Sequence, residues 1–137
     1  MRLRDRVAVL ATCSVVLAAA TLLISHAIED RVYAPAYAGA LTGLPLTYMV
    51  VRLGGGFVEL ATLGSLVSVL GSALYTTAYY LAIGFQWEAL GYYTALEYLA
   101  MMVRSGVFLF TFVTSLVMSI ASLLTVSALL AVLFIGE

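Results

Sequence analysis

The sequence SGVFLFTFVTSLVMSIASLLTVSALLAVLFI, from Ser105 to Ile135, decides the fold class of this chain. These 31 residues contain no charged residue and no proline, and their single glycine is Gly106. A helix needs roughly 20 apolar residues to cross a bilayer, and a run this long cannot be hidden inside a soluble domain of 137 residues. The run must therefore be solvated by lipid or by other copies of itself.

One face of this predicted helix carries small hydroxyl residues at three- and four-residue steps. They are Thr111, Ser115, Ser119, Ser122 and Thr125. Small polar residues let two helix backbones approach closely and can bond across the contact, so we interpret this face as a helix contact. The alternative is that each hydroxyl bonds back to a carbonyl one turn earlier on its own helix.

The composition places the whole chain in the membrane class. Hydrophobic residues make up 64% of it and charged residues 9%, with a mean hydropathy of +1.13, whereas soluble domains contain roughly 25% charged residues. The net charge is -1, lysine is absent and the six arginines are spread along the chain. We therefore expect no direct, sequence-specific binding of nucleic acid.

The sequence also offers no ligand set for a metal or a cofactor. Cys13 is the single cysteine and lies in an apolar run, where a small packing residue is expected. His26 is the single histidine, so a bis-histidine haem site or a zinc site would lack its other ligands. Nucleophile elbows, phosphate loops, C-x-x-C and H-E-x-x-H motifs are missing. We expect no cofactor and no enzymatic activity of the chain alone.

The N-terminal segment predicts the first helix and its orientation. Residues 1–6, MRLRDR, place three arginines before the apolar run 7–28, which favours a cytoplasmic N-terminus. A narrow face of small residues along this run predicts another helix contact. It consists of Ala11, Ser14, Ala18, Thr21 and Ser25. A secretory signal is the alternative, but charged residues 29–31 separate the apolar run from any small-residue cleavage site.

The middle of the chain holds one ambiguous segment and one clear helix. Segment 38–51 is apolar but short and contains Gly43 and Pro45, so it is either a short, kinked spanning helix or a re-entrant or surface segment. After Arg52 and three glycines, the run 57–85 begins. Its residues Gly64, Ser68 and Ser72 form a small-xxx-small series, which is typical of close helix packing.

Aromatic residues concentrate between the last two long runs. Trp87, Tyr92, Tyr93 and Tyr98 fall within residues 86–104, and this enrichment is typical of a membrane–water boundary. The chain 1–137 is thus predicted to be one all-α integral membrane domain, with three or four hydrophobic helices packed through small-residue faces and a short aromatic-rich interfacial segment. Arginine counting gives four inside and two outside for either number of spans, so it leaves three and four spans open.

Glu59 is the single charged residue in the run 57–85 and the best candidate for an ion path. An acidic residue on a spanning helix is costly and often marks such a path. Glu59 nevertheless lies close to the predicted helix start, where the helix dipole stabilises a carboxylate. We favour this second role, with Arg52 as the pairing partner.

Three functional hypotheses follow. The first is a non-catalytic structural or assembly subunit of a membrane-embedded or lipid-associated complex. Its partners are lipids and either copies of the chain or other membrane subunits. Three small-residue faces exceed what one short chain is expected to satisfy internally, so this hypothesis predicts an oligomer. Its location is a membrane, with several spans and a cytoplasmic N-terminus.

The second hypothesis is a hydrophobic subunit of a lipid-containing filament outside the cell. Runs 57–85 and 105–135 predict helices of about 44 and 46 Å, longer than the ~30 Å bilayer core. This architecture broadly resembles the all-helical, two-helix pilins of conjugation and DNA-transfer machines, from which a retained N-terminal helix departs. The third hypothesis is a small ion channel or proton-coupled transporter that uses Glu59.

Overall fold

The structure is a computed structural model that describes residues 2–30 and 32–134. Within these residues the chain forms helices and short connections. The helices are α1 (Leu3–Ile28), α2 (Ala34–Arg52), α3 (Phe57–Ala89), α4 (Ala95–Arg104) and α5 (Val107–Phe134). Helices α1, α3 and α5 are long and apolar enough to cross a membrane. The predicted all-α fold class is confirmed.

Helix α2 contains the whole of segment 38–51. It runs unbroken from Ala34 to Arg52 through Gly43 and Pro45, and its 19 residues extend about 28 Å. Pro35 lies in its first turn, where the missing N–H donor is not needed by the helix. The segment is therefore a continuous helix that starts four residues earlier than predicted, although it is not among the three helices that meet the length and hydropathy of a span.

Other boundaries also differ from the prediction: α1 and α3 extend beyond the apolar runs that identify them, whereas α5 starts two residues later than predicted. Helix α1 starts at Leu3, so the charged residues 4–6 form part of its first turns. Helix α3 continues to Ala89 instead of ending at Phe85. Helix α5 starts after Gly106, whose φ of +82° makes the turn from α4. The predicted end of this helix at residue 135 lies outside the described residues.

Helices α1 and α3 run parallel to each other. Near their starts, Arg6 forms an ion pair with Glu59. Farther along both helices, the Leu17 side chain lies against Gly71. Because α2 connects the end of α1 to the start of α3, it must run in the opposite direction.

Helices α2 and α5 are likewise parallel to each other. Gly39 lies against Ser119, and Gly43, one turn later, lies against Val126. The four long helices thus form an up-and-down bundle, which is a common solution for chains with short connections. Helices α1 and α5 each contact α2 and α3 but do not contact each other within the described residues. They therefore occupy opposite corners of the bundle.

Helix α4 packs on the last turns of α3, in the part of the chain for which an aromatic-rich interfacial segment was predicted. Ala95 lies against Gly84, and its backbone N–H donates to Glu88 Oε2 at 3.2 Å. Thr94 caps the helix, because its hydroxyl oxygen accepts from the Glu97 N–H at 3.2 Å. The short helix is therefore fixed at the end of α3.

Charged residues divide between the two ends of the bundle. We call the end with the starts of α1 and α3 the N-terminal end, and the other the opposite end. Among described residues, the N-terminal end carries four arginines and two acids, Asp5 and Glu59. The opposite end carries one arginine, Arg104, and four acidic residues, which are Glu29, Asp30, Glu88 and Glu97.

This topology predicts which connections share a side of a membrane. In a chain with Cys13→Ser, we introduce Val32→Cys, Leu53→Cys or Tyr92→Cys, all at exposed positions in connections. A membrane-impermeant maleimide added to sealed vesicles should label residues 32 and 92 from one side and residue 53 from the other. Labelling of residues 32 and 53 from the same side would show that α2 does not cross.

Candidate functional site in the helix contacts

Three serines meet in the interior between α3 and α5. Ser72 Oγ lies 3.2 Å from Ser119 Oγ, and Ser115 Oγ donates to Ser72 Oγ at 3.5 Å. All three residues are buried. Toward the opposite end, Tyr80 Oη and Thr111 Oγ1 are 2.6 Å apart. Hydroxyl groups thus bond across this contact, and such bonds contribute about 0.6 kcal/mol each on average in membranes.

The same face also shows the alternative bonding pattern, in which a hydroxyl bonds back to its own helix. Ser122 Oγ donates to the Met118 carbonyl oxygen at 3.2 Å, and Thr125 Oγ1 donates to that of Ala121 at 2.7 Å. Thr125 is exposed, so it lies outside the contact. Ser119 shows both patterns, since its Oγ lies near Ser72 Oγ and also donates to the Leu116 carbonyl oxygen at 3.3 Å. The two interpretations of the hydroxyl face therefore both apply to this helix.

The contact between α2 and α5 depends on two glycines that the sequence analysis did not select. A Cβ atom on Gly39 would lie 2.5 Å from the Ser119 carbonyl oxygen, and one on Gly43 would lie 2.9 Å from Val126 Cγ1. The two backbones are therefore as close as glycine permits. Gly39 and Gly43 form a G-x-x-x-G motif, and this spacing was the sequence signal that could have identified the contact.

The small-residue series of α3 faces α5. A Cβ atom on Gly64 would lie 2.8 Å from Leu123 Cδ2 and 2.9 Å from Leu124 Cδ2. Ser68 is fully buried, and its hydroxyl donates to the Gly64 carbonyl oxygen at 2.9 Å. With Ser72, this series packs within the chain.

Helix α1 buries most of its predicted small face. Ser14, Ala18, Thr21 and Ser25 are buried, whereas Ala11 is exposed. Beside this face, Leu17 fills the space over Gly71 of α3, where a Cβ atom would lie 2.5 Å from Leu17 Cδ2. The small-residue faces of α1, α3 and α5 are thus used mainly for contacts between helices of one chain.

Glu59 lies at the N-terminal end of the bundle, in the first turn of α3. Its Oε1 is 3.0 Å from Arg6 Nη2, so Arg6 takes the position predicted for Arg52. The reason is the parallel packing of α1 and α3, which brings their first turns together. Arg52 instead donates to Tyr48 Oη at 2.7 Å.

Among the described residues, the interior offers hydroxyl groups and the Cys13 thiol but no Asp, Glu, Arg or His side chain. In residues 2–30 and 32–134, the Asp, Glu, Arg and His side chains belong to the ends of the helices or to the connections. Within the same residues, His, Cys, Asp and Glu form no group of three that could hold a metal ion. The polar contacts described in this interior are contacts between or within helices.

Gly39→Ala tests the close approach of α2 and α5. The added methyl group meets a backbone oxygen that cannot rotate away, so we expect the free energy of unfolding in mild detergent to fall by about 1–3 kcal/mol. Gly56→Ala is the control, since a Cβ atom there meets open space. Alanine has a higher helix propensity than glycine, which by itself would stabilise the variant. A Gly39→Ala variant that is more stable than the wild type would therefore contradict this packing, and so would one of equal stability.

Two buried serines, Ser14 and Ser72, predict stability changes of opposite sign. Ser14 Oγ is buried without a hydrogen-bond partner, whereas Ser72 Oγ bonds across to α5. Removing an unpaired buried hydroxyl relieves its desolvation, and removing a paired one leaves its partner unsatisfied. We expect Ser14→Ala to raise the free energy of unfolding and Ser72→Ala to lower it, each by about 1 kcal/mol. Denaturation of both variants in mixed micelles measures the difference, and losses of equal size would contradict it.

The contacts described above form a network of close helix–helix approaches. It holds the helices together and leaves the two ends charged. In comparisons with known proteins, no family model, no characterised protein and no solved structure matched this chain.

Proposed function

We propose that the chain is a non-catalytic, multi-pass membrane subunit that assembles with copies of itself or with other membrane subunits. The observation that carries this proposal is a pair of small-residue faces that the bundle does not use. Since the inner faces pack within one chain, the need for a partner rests on these outer faces instead.

The first outer face lies on α1 and the second on α5. The face on α1 consists of Ala8, Ala11, Thr12 and Ala19, which share one side of the helix and are exposed. The face on α5 consists of Ala121, Thr125 and Ala128, which are also exposed on one side. In lipid, small residues favour helix association because they allow backbones to approach, whereas burying Leu or Phe gives little gain. Both faces are therefore suited to a partner helix.

The positions of α1 and α5 favour a head-to-tail contact. These helices occupy opposite corners of the bundle, so their outer faces point in opposite directions. Contact between the α1 face of one copy and the α5 face of the next is heterologous, and it produces a closed ring or an open filament. The same geometry supports the second candidate function, a subunit of a lipid-containing filament outside the cell.

The channel or transporter hypothesis receives less support. Glu59 is paired with Arg6 at one end of the bundle. Apart from the unpaired Ser14 Oγ, the interior hydroxyls described above bond between or within helices. A path for ions or protons across a bundle usually includes ionisable groups at intermediate depth. A structural role for Glu59 at the start of α3 is the simpler account.

The charges at the two ends favour an orientation. Arg2, Arg4, Arg6 and Arg52 all lie at the N-terminal end, in first or last helical turns or next to them. Membrane proteins retain such clusters in the cytoplasm. We therefore propose a cytoplasmic N-terminal end, with α4 and the acidic residues on the other side.

Cysteine crosslinking between chains tests the assembly. In a chain with Cys13→Ser, the double variant Thr12→Cys/Ala121→Cys places one thiol on each outer face, at similar heights along α3. A head-to-tail contact should give a ladder of crosslinked oligomers in native membranes, whereas either single variant should stay monomeric.

Val69→Cys on the exposed side of α3 is the matched control for random collision. A monomer from the double variant would contradict the head-to-tail contact between copies, as would a ladder no stronger than that of a chain with Val69→Cys and Leu109→Cys. Dimers from a single variant would replace the head-to-tail contact with a symmetric one.

A further inference from the structure

A groove between α2 and α5 opens at the N-terminal end of the bundle. It has a volume of about 480 Å³, within the usual range for ligand pockets. Leu44, Val51, Leu130 and Phe134 form its apolar walls. Arg52 and Tyr48 lie at the same groove, and both are exposed.

Arg52 carries a positive charge that no side chain in residues 2–30 and 32–134 neutralises through an ion pair. Its Nη1 donates to Tyr48 Oη at 2.7 Å, and its guanidinium carbon lies 5.8 Å from the centre of the Tyr48 ring. These contacts hold the guanidinium over the ring and leave most of its five N–H donors available. No carboxylate among the described residues forms an ion pair with Arg52.

A second groove at the same end provides an internal comparison. It lies between α1 and α3, has a volume of about 390 Å³ and includes Leu3, Val7 and Leu66 among its apolar lining. Its arginine, Arg6, is paired with Glu59 at 3.0 Å. The two grooves are thus similar in size and apolar character. Among their described lining residues, the arginine is paired with a carboxylate only in the groove between α1 and α3, whereas Arg52 forms no ion pair.

We propose that the groove at Arg52 binds an anionic phospholipid. The phosphodiester accepts hydrogen bonds from the Arg52 guanidinium and from Tyr48, whose oxygen already accepts from Arg52 and whose proton is therefore free to be donated outward. One acyl chain lies along the groove between Leu44 and Phe134. From Leu44 to Arg52 the groove follows eight residues of α2, about 12 Å, so headgroup and chain are engaged together.

This inference rests on the proposed membrane location and is independent of assembly with other chains. Arg52 lies at the last residue of α2, where a snorkelling arginine meets the lipid phosphates at the bilayer surface. The charge complementarity with an anionic headgroup distinguishes this occupant from a zwitterionic lipid. Because Arg6 is paired with Glu59, we expect no preference for anionic lipid in the groove between α1 and α3.

Native mass spectrometry of the full chain tests the site. Purified protein is equilibrated in detergent with equal amounts of phosphatidylglycerol and phosphatidylcholine that carry the same acyl chains, and the lipids that stay bound are counted. The wild type should retain phosphatidylglycerol preferentially. Arg52→Gln should lower the ratio of bound phosphatidylglycerol to phosphatidylcholine about tenfold. Tyr48→Phe should lower it less.

The double variant Arg6→Gln/Glu59→Gln is the matched control, since it removes both charges of the compensated groove and should keep the wild-type ratio. An unchanged ratio in Arg52→Gln, an equal loss in the control, or equal retention of both lipids by the wild type would overturn the proposal. Displacement of the lipid by millimolar glycerol phosphate would overturn it too, because the acyl chain would then contribute nothing.

Flotation with vesicles of phosphatidylcholine separates this failure from that of the proposed function. A chain that fails to float with vesicles contradicts the membrane location and this site together. A chain that floats but shows no preference for phosphatidylglycerol overturns the lipid site alone.

Discussion

The bundle depends on the distance between helix backbones. In lipid, apolar side chains gain little by leaving the solvent, so helices associate where small residues let their backbones approach and where polar groups bond across the contact. The closest such approach described is at Gly39, next to the backbone of Ser119. It fixes α5 against α2, and the serines of α5 then meet Ser72 of α3. Lengthening that one distance would separate α5 from α2, whereas α3 would keep its own contact with α1 at Gly71.

Small-residue faces have two roles in this chain, and the distinction explains why a fixed core and an associating surface can coexist. The inner faces are buried and hold one copy together, while the outer faces of α1 and α5 stay exposed. A helix turns by about 100° per residue, so a single sequence of three- and four-residue steps does not reveal which of two adjacent faces is turned inward. Ala11 and Thr125 are examples. Their spacing assigns both to the inner series, but both lie at its edge and are exposed.

The sequence was sufficient to predict the fold class, because long apolar runs without charges have few alternatives to membrane helices. It was less informative where two opposing signals met. Pro45 and Gly43 argued against a long helix at 38–51, but α2 continues through both, since packing against neighbouring helices outweighs weak local propensity. The pairing of Glu59 depended on topology: Arg52 is closer in sequence, whereas Arg6 is closer in space because α1 and α3 are parallel. The contact at Gly39 was not predicted, because the interpretation of this segment used its length and not the four-residue spacing of Gly39 and Gly43.

The unequal lengths of α2 and α3 have a consequence for the surrounding bilayer. Helix α3 contains 33 residues and α2 contains 19, which correspond to about 50 and 28 Å. A lipid annulus around the bundle therefore meets a tall side and a short side. Hydrophobic mismatch of this kind is relieved by tilting the protein or by local changes in membrane thickness. Bilayer thickness thus becomes a variable to which the tilt of this bundle responds, and neighbouring copies that thin the membrane on the same side would attract one another through the lipid without touching.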